Sequence, residues 1–397
     1  MILLRNFLCY SVIVLAVTVS FLFAPKPLSP NEYCGKFFDL GKHAGFVINC
    51  DSYTYVKVST ELSLLMQEKS LRQSRPLYPV MGSVMGHVIY PVLKFIDPNI
   101  YEVYFAGYVL LNFLFYLAIL YMADKLLIRY TQLNFTSRAA FLFLLISNPV
   151  TKTFFWTADK QFLVFFTPML CICTMLYISK KERVTNLRIW LIALMCGLAL
   201  LVYGNFVLLA ACILLLLVYY RYSVLTLLLS LVLIGLPTLL WIGMLKYNGV
   251  NYYNHEIAAY HQFVWVIDAL RISANELYVQ MQINAGNFCS TFSRLYLFIA
   301  AAVAMAVYSI AGNKLNGGQK KVVLLCGLLL GICLVFFYLM GYYRERISYT
   351  LIAPVIICLA LFFDKATVNH RRVGSALLIF GVLTWHIFIL TRYGPFD

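Results

Sequence analysis

Charge is what this chain has least of. Charged side chains make up 12% of its 397 residues, about half the share found in soluble globular domains, so a fold built against water is excluded. Acids are scarcer than bases, 16 against 31, and histidines number six. His255 and His261 lie six residues apart, not the three or four that align two ligands on one helix face, so they read as surface aromatics rather than a metal pair. His87 and His386 read as packed, hydrogen-bonded side chains, although either could bind or shuttle a proton. Eight of the eleven cysteines, Cys9, Cys171, Cys173, Cys196, Cys212, Cys326, Cys333 and Cys358, sit inside apolar runs, where the thiol acts as a small hydrophobe. Cys171 and Cys173 have no histidine beside them, which speaks against a metal site. Only Cys34, Cys50 and Cys289 fall in long polar stretches, and in an oxidising compartment Cys34 and Cys50 could close a loop. Internal repeats and low-complexity segments are absent.

What the chain has is hydrocarbon, with 62% apolar and 16% aromatic residues. That composition predicts an all-α polytopic membrane protein, a single membrane domain over residues 1–397. Apolar runs occur near residues 7–24, 101–123, 139–156, 161–178, 189–203, 206–220, 224–243, 295–312, 322–340, 350–363 and 373–391, which predicts eleven spans. A few are shorter than the roughly 20 residues a bilayer needs and would tilt or thin the membrane. The first exceeds a signal-peptide core and runs into Pro25-Lys26-Pro27, so it reads as a retained span. Ile189 to Tyr220 is too long for one helix, and Gly204-Asn205 is the hairpin tip that divides it.

A net charge of +15 would suggest nucleic acid in a soluble protein. Beside membrane spans it sets topology and meets anionic headgroups instead, so no nucleic-acid partner is expected. With the hairpin in place, one side receives Arg5, Lys125, Arg129, Arg138, the cluster from Lys180 to Arg188, Arg221, Lys320, Lys321, Arg371 and Arg372. That side is cytoplasmic and includes the N-terminus. Thirteen of the sixteen acids fall on the other, external side, most of them in two long loops, residues 25–100 and 244–294. Polar chemistry is therefore expected on the outer face. The sequon Asn134-Phe135-Thr136 falls on the cytoplasmic side, where it would stay unmodified. The compact chain, with no external sequon, favours a bacterial inner membrane.

The longest polar interval runs from Cys50 to Pro79. It opens with Asp51 and aromatics, and continues through a run from Tyr53 to Ser70 whose rhythm predicts a helix lying in the interface. It ends in Ser74-Arg75-Pro76-Leu77-Tyr78-Pro79. Pro79 to Phe95 is moderately apolar but carries His87 and Lys94, which predicts a re-entrant or surface-lying segment rather than a clean span.

This order of features resembles the GT-C superfamily of membrane glycosyltransferases: a first span, a loop with an acid and aromatics, an amphipathic helix, a Pro-Leu-Tyr-Pro element, a re-entrant segment, then Asn148-Pro149 and Asp159. The nearest group contains the protein O-mannosyltransferases and the lipid A aminoarabinose transferase. The resemblance covers about residues 1–180 in organisation, and beyond that only the run of spans and the Tyr342-Tyr343-Arg344-Glu345-Arg346 loop agree. It implies transfer of a sugar from a polyprenyl-phosphate donor to a glycan, lipid or protein acceptor, with inversion. Asp51 matches the family's loop carboxylate, the catalytic base. Asp159 matches the family's acid after the short external turn, Arg75 sits where the family has a His or Arg before the proline element, and Arg344 and Arg346 match only in kind; with Tyr78 and Lys160 they form the expected substrate- and phosphate-binding set. Family members often carry paired acids where this chain has Asp51 alone. That single acid puts metal binding at this point in doubt, so no cofactor is certain and a divalent cation stays open.

The chemistry suits these residue types. A carboxylate within hydrogen-bond reach takes the acceptor's proton, and fixed cations stabilise a phosphate leaving group; Lys246 and Lys94 are further candidates for that role. Each residue also has a plainer explanation. Asp51 could cap the helix that begins near Tyr53, Asp159 could pair with Lys160, and Arg344 and Arg346 could anchor a helix among headgroups. The aromatics near Tyr53, Tyr55 and Tyr78 could stack on a sugar or belong to an interfacial belt. An O-antigen polymerase or ligase is an alternative enzyme, though its largest external loop would come late in the chain. A transporter or flippase would show charges in mid-span or two-half symmetry, and neither is visible. An inert membrane scaffold remains a third possibility.

Overall fold

The computed structural model describes residues 2–25, 35–180, 184–292, 295–311, 315–367 and 370–392. Among the described residues, seven helices are long and apolar enough to cross a membrane: Asn6–Phe23, Ile100–Tyr130, Lys160–Ile178, Val224–Tyr247, Gly317–Met340, Glu345–Ala366 and Arg371–Thr391. Five shorter apolar helices accompany them, Leu77–Leu93, Phe135–Ile146, Asn186–Leu200, Gly204–Tyr219 and Phe298–Val307. The chain is an all-α, multi-pass integral membrane protein. Helices are the natural solution here, because hydrocarbon offers no partner to a backbone N–H or C=O and each must be satisfied within its own segment.

Burial sorts the helices into an inner and an outer set. The apolar window of Glu345–Ala366 is 100% buried, whereas those of Val224–Tyr247 and Arg371–Thr391 are 22% buried. The first lies at the centre of the bundle and the other two present most of their apolar surface outward, as lipid-facing helices do. Several polar side chains inside the bundle are matched to partners. Tyr10 donates to Asp124 at 2.7 Å, and Arg138 lies 3.4 Å from the same carboxylate. His386 is hydrogen-bonded between Ser20 and Ser147 at 2.9 and 2.7 Å. His87 contacts the Tyr104 hydroxyl and the Ser83 carbonyl. Both histidines are thus packed and hydrogen-bonded.

The segment after residue 76 is a helix, Leu77–Leu93, that packs against Ile100–Tyr130. The approach is close because Gly82 and Gly86 occupy the contact four residues apart. A Cβ on Gly82 would enter the Tyr108 ring, and one on Gly86 would lie 2.6 Å from the Tyr104 ring. A Cβ on Gly107 of the facing helix would lie 2.9 Å from the Gly86 backbone nitrogen. Small residues at this spacing let two membrane helices share van der Waals contact along their backbones.

Two expectations need correction, and one element was not foreseen. Residues 139–156 do not form one helix: Phe135–Ile146 ends at Ser147, and a new helix, Pro149–Phe154, starts with the Asn148 side chain accepting from Thr151 N at 3.0 Å. Pro149 takes the first helical position, where a missing N–H costs nothing. The interfacial helix over Tyr53–Ser70 is half that length, since Cys50–Thr60 ends at Glu61 and only a short 3₁₀ turn, Leu62–Met66, follows. Finally, the stretch before Cys50 contains an antiparallel hairpin, β1 Gly35–Gly41 with β2 Ala44–Asn49. The break in Ile189–Tyr220 falls where expected: one helix ends at Leu200 and the next turn begins at Gly204.

Candidate functional site

The hairpin delivers the chain to Asn49, whose side chain accepts from the Asp51 N–H at 2.8 Å. Asn49 is therefore the N-cap of Cys50–Thr60, and the capping role considered for Asp51 is already filled. This leaves the Asp51 carboxylate free to point away from the helix end. Tyr55 lies one turn on from Asp51, on the same helix face, and is fully buried.

Arg72 joins the two. Its guanidinium donates to Asp51 Oδ1 at 2.7 Å and sits 4.0 Å from the centre of the Tyr55 ring. The Lys160 ammonium lies 5.0 Å from the same ring centre. Tyr55 thus offers its π-face to two cations that would otherwise repel each other. Tyr78 supports it from behind, edge-on at 4.9 Å, and itself packs on Tyr108 and Phe162. Tyr78 belongs to this aromatic core, fully buried, and does not reach the cavity described next; its expected place as a substrate contact is corrected to that of a support for Tyr55.

A cavity of about 540 Å³ opens beside this cluster. Its wall brings together Asp51, Arg72, Arg75, Lys160, Glu256 and Arg346 from five separate parts of the chain. Arg75 forms an ion pair with Glu256, which also accepts from Ser74 Oγ at 3.1 Å. Arg346 donates to the Tyr342 hydroxyl at 3.4 Å. Asp159 is adjacent but buried behind the wall, with Oδ1 lacking a hydrogen-bond partner. It forms no ion pair with Lys160 among the described residues, so the plain pairing considered for these two is absent. Arg344 lies outside the wall, 5.7 Å from the Tyr342 ring. Lys94 and Lys246 also lie outside it. His255 lines the cavity, whereas His261 is exposed and faces Asp268 at 3.6 Å.

Two loops are held in place for this purpose by Gln73, which is fully buried. Its Nε2 donates to the Leu65 and Gln67 carbonyls at 3.2 and 2.8 Å, and its Oε1 accepts from Tyr253 N at 2.8 Å. Trp241 Nε1 donates to the Gln73 carbonyl at 2.9 Å, tying the same point to a lipid-facing helix. The lining also includes the apolar side chains of Phe263, Phe336, Met340 and Val207. Cys50, next to Asp51, is disulfide-bonded; Cys34 lies outside the described residues.

The electrostatics follow from this arrangement. Burial by itself raises the Asp51 carboxyl, but Lys160, Arg72 and Arg346 outweigh it and bring it down to about 2. Burial likewise acts to raise Glu256, and the pull of Arg75 and Lys160 leaves it below the ordinary glutamate range. Asp159 goes the other way, because burial dominates and Asp51 adds to it. The wall then carries four cations against two ionised carboxylates. Asp51 is matched by Arg72 and Glu256 by Arg75, and the remaining positive charge of the wall rests on Lys160 and Arg346, which also act on Asp159 behind it. Such an excess attracts an anion, above all a phosphate, through charge-assisted hydrogen bonds. The donor set around Asp51, crowded by cations, does not fit a divalent metal ion.

Arg72 and Glu256 were not legible as site residues from the sequence. Arg72 sits in a charged stretch that resembles a solvated loop, and Glu256 lies in the distant second loop. The chain matches no protein-family model, no curated protein and no solved structure.

Proposed function

We propose that this protein is a GT-C-like glycosyltransferase, which moves a sugar from a polyprenyl-phosphate donor to a glycan, lipid or protein acceptor, with inversion, on the outer face of a bacterial inner membrane. The observation that carries the reading is the composition of one cavity: an ionised Asp51, the cations Lys160 and Arg346, and apolar lining side chains. A lipid phosphate needs both of the latter features at once. The orientation, with the N-terminus in the cytoplasm, rests on the Lys and Arg distribution.

In the proposed reaction the acceptor oxygen attacks the anomeric carbon from the face opposite the phosphate. The new C–O bond forms as the anomeric C–O bond to phosphate breaks, and the electron pair leaves with the phosphate oxygen. Lys160 and Arg346 meet the charge that grows there, which lowers the barrier because it is larger in the transition state than in the bound donor. Asp51 takes the acceptor proton. A carboxylate held near 2 is a weak base towards a resting hydroxyl. It suffices late in the step, once the attacking oxygen has become oxonium-like and far more acidic than a carboxylic acid.

The test is Asp51→Asn in purified protein supplied with a polyprenyl-phosphate sugar. The variant is expected to bind the donor and to fail in transfer. Wild-type turnover by the variant would remove Asp51 from the mechanism.

A further inference from the structure

We propose that Gln161 and Asn205 form a neutral edge of the cavity that reads the hydroxyl groups of the sugar next to the phosphate, and so selects the donor. The inference rests on the reading of the cavity as a lipid-phosphate-sugar site. Both side chains line the cavity, and they are only 6% and 7% exposed. Gln161 Oε1 and Asn205 Nδ2 have no hydrogen-bond partner among the described residues.

Buried amides are normally satisfied, and an unpaired one is costly. Both side chains line the cavity wall, so a ligand seated there is the nearest group that can supply a partner. Their chemistry narrows what that partner is. The unpaired atoms are the Gln161 carbonyl oxygen and the Asn205 amide nitrogen, so a ligand that both donates and accepts satisfies the pair. A hydroxyl does. An ionised phosphate cannot donate to Gln161, and a hydrocarbon chain can satisfy neither. Gln161 also follows Lys160 directly in the chain, which sets the amide edge beside a cation of the proposed phosphate site. A phosphate esterified to a polyol fits that juxtaposition, while a bare phosphate occupies only half of it.

Asn205 owes its place to the turn Gly204–Phe206, where the chain re-enters the bundle after the helix ending at Leu200. Gln161 begins a membrane helix, within the turn Lys160–Phe162. Neither belongs to the carboxylate and cation set that carries the transfer step. Their substitution should therefore change which donor is bound without removing the phosphate site.

The experiment compares two probes of equal chain length on full-length protein in nanodiscs, polyprenyl phosphate and a panel of polyprenyl-phosphate hexoses and pentoses, with dissociation constants measured for wild type, Gln161→Leu, Asn205→Leu and Gln161→Glu. The wild type is expected to prefer at least one glycosylated lipid over the bare one. Each leucine variant should lose roughly 10- to 100-fold of that preference, the consequence of leaving one sugar hydroxyl unpaired, and should keep its affinity for bare polyprenyl phosphate. Gln161→Glu retains an acceptor and should retain the preference. Leucine variants that keep the wild-type preference, or that weaken both probes equally, would overturn the inference, as would a wild type indifferent to every sugar in the panel while it binds polyprenyl phosphate. A wild type that binds neither lipid would overturn the parent reading and this one together.

Discussion

Replacing Arg72 with methionine should make the protein less stable at neutral pH, and at pH 2 only the smaller part of that loss, from the contact with the Tyr55 ring, should remain. Arg72 is 5% exposed, and methionine can occupy the space of its stem while removing the charge. The Asp51 carboxyl lies at about 2 against an ordinary 3.8, which at about 1.4 kcal/mol per pH unit corresponds to about 2 kcal/mol of favourable interaction. Lys160 and Arg346 supply part of it. The Asp51 side chain is also 41% exposed, so solvent screening reduces the share lost with Arg72 to about 1 kcal/mol. Loss of the contact with the Tyr55 ring adds about 0.5–1 kcal/mol. The sign of the pH dependence is fixed by the depressed folded value. Ionised Asp51 stabilises the fold above the unfolded value near 4, and the contribution disappears as pH falls through about 2. The assay is the unfolding midpoint in detergent micelles, read by tryptophan fluorescence from pH 2 to pH 7. The gap between wild type and Arg72→Met should be open at pH 7 and narrow steadily from pH 4 to pH 2. A gap that stays constant over that window would refute the electrostatic account of Asp51, and no gap at all would refute the role of Arg72.

Two further predictions concern the scaffold. Gly82→Ala should cost about 1–3 kcal/mol, because the added methyl enters the Tyr108 ring and pushes Leu77–Leu93 off its neighbouring helix; a variant as stable as wild type in the same unfolding assay would contradict that packing. Gln73→Ala leaves the Tyr253 N–H without its acceptor and frees the Leu65 and Gln67 carbonyls. It should cost about 2–3 kcal/mol and raise hydrogen exchange in residues 61–76 and 250–254 together, whereas exchange confined to one of the two loops would show that Gln73 does not couple them.

The membrane class was legible because it depends on composition alone, and the apolar runs fall largely on helices, although the run 139–156 breaks at Ser147. What the sequence hid was long-range or very local. The hairpin Gly35–Gly41 and Ala44–Asn49 is short and stands within a polar loop, where the period-2 pattern is easily lost against the longer helical rhythm that follows. That rhythm suggested a helix up to Ser70, yet the chain turns at Glu61, and Gln73 and Trp241 hold the next segment by tertiary hydrogen bonds that no local pattern encodes. Asp51, Arg75, Lys160 and Arg346 were legible as candidate residue types, and the fold brings them to one wall. Their counterions were not legible: Asn49 takes the cap that Asp51 could have filled, Arg72 is buried against Tyr55, and Glu256 pairs with Arg75 from the far loop. Tyr78 shows the converse, since a tyrosine beside a basic proline element suggests a ligand contact, but its ring is enclosed by Tyr55, Tyr108 and Phe162.

The central claim is that the cavity binds the phosphate of a lipid through the cations that its own carboxylates leave unmatched. It is tested most directly by measuring, in nanodiscs, the affinity for a polyprenyl phosphate against the corresponding polyprenol, for wild type and for Arg346→Met. The account predicts a wild-type preference for the phosphate of at least about 100-fold, in line with the worth of two charge-assisted contacts, and a drop of about 10-fold or more in that preference when Arg346 is replaced. Equal affinity of wild type for the two lipids, or an undiminished preference in the variant, would contradict it.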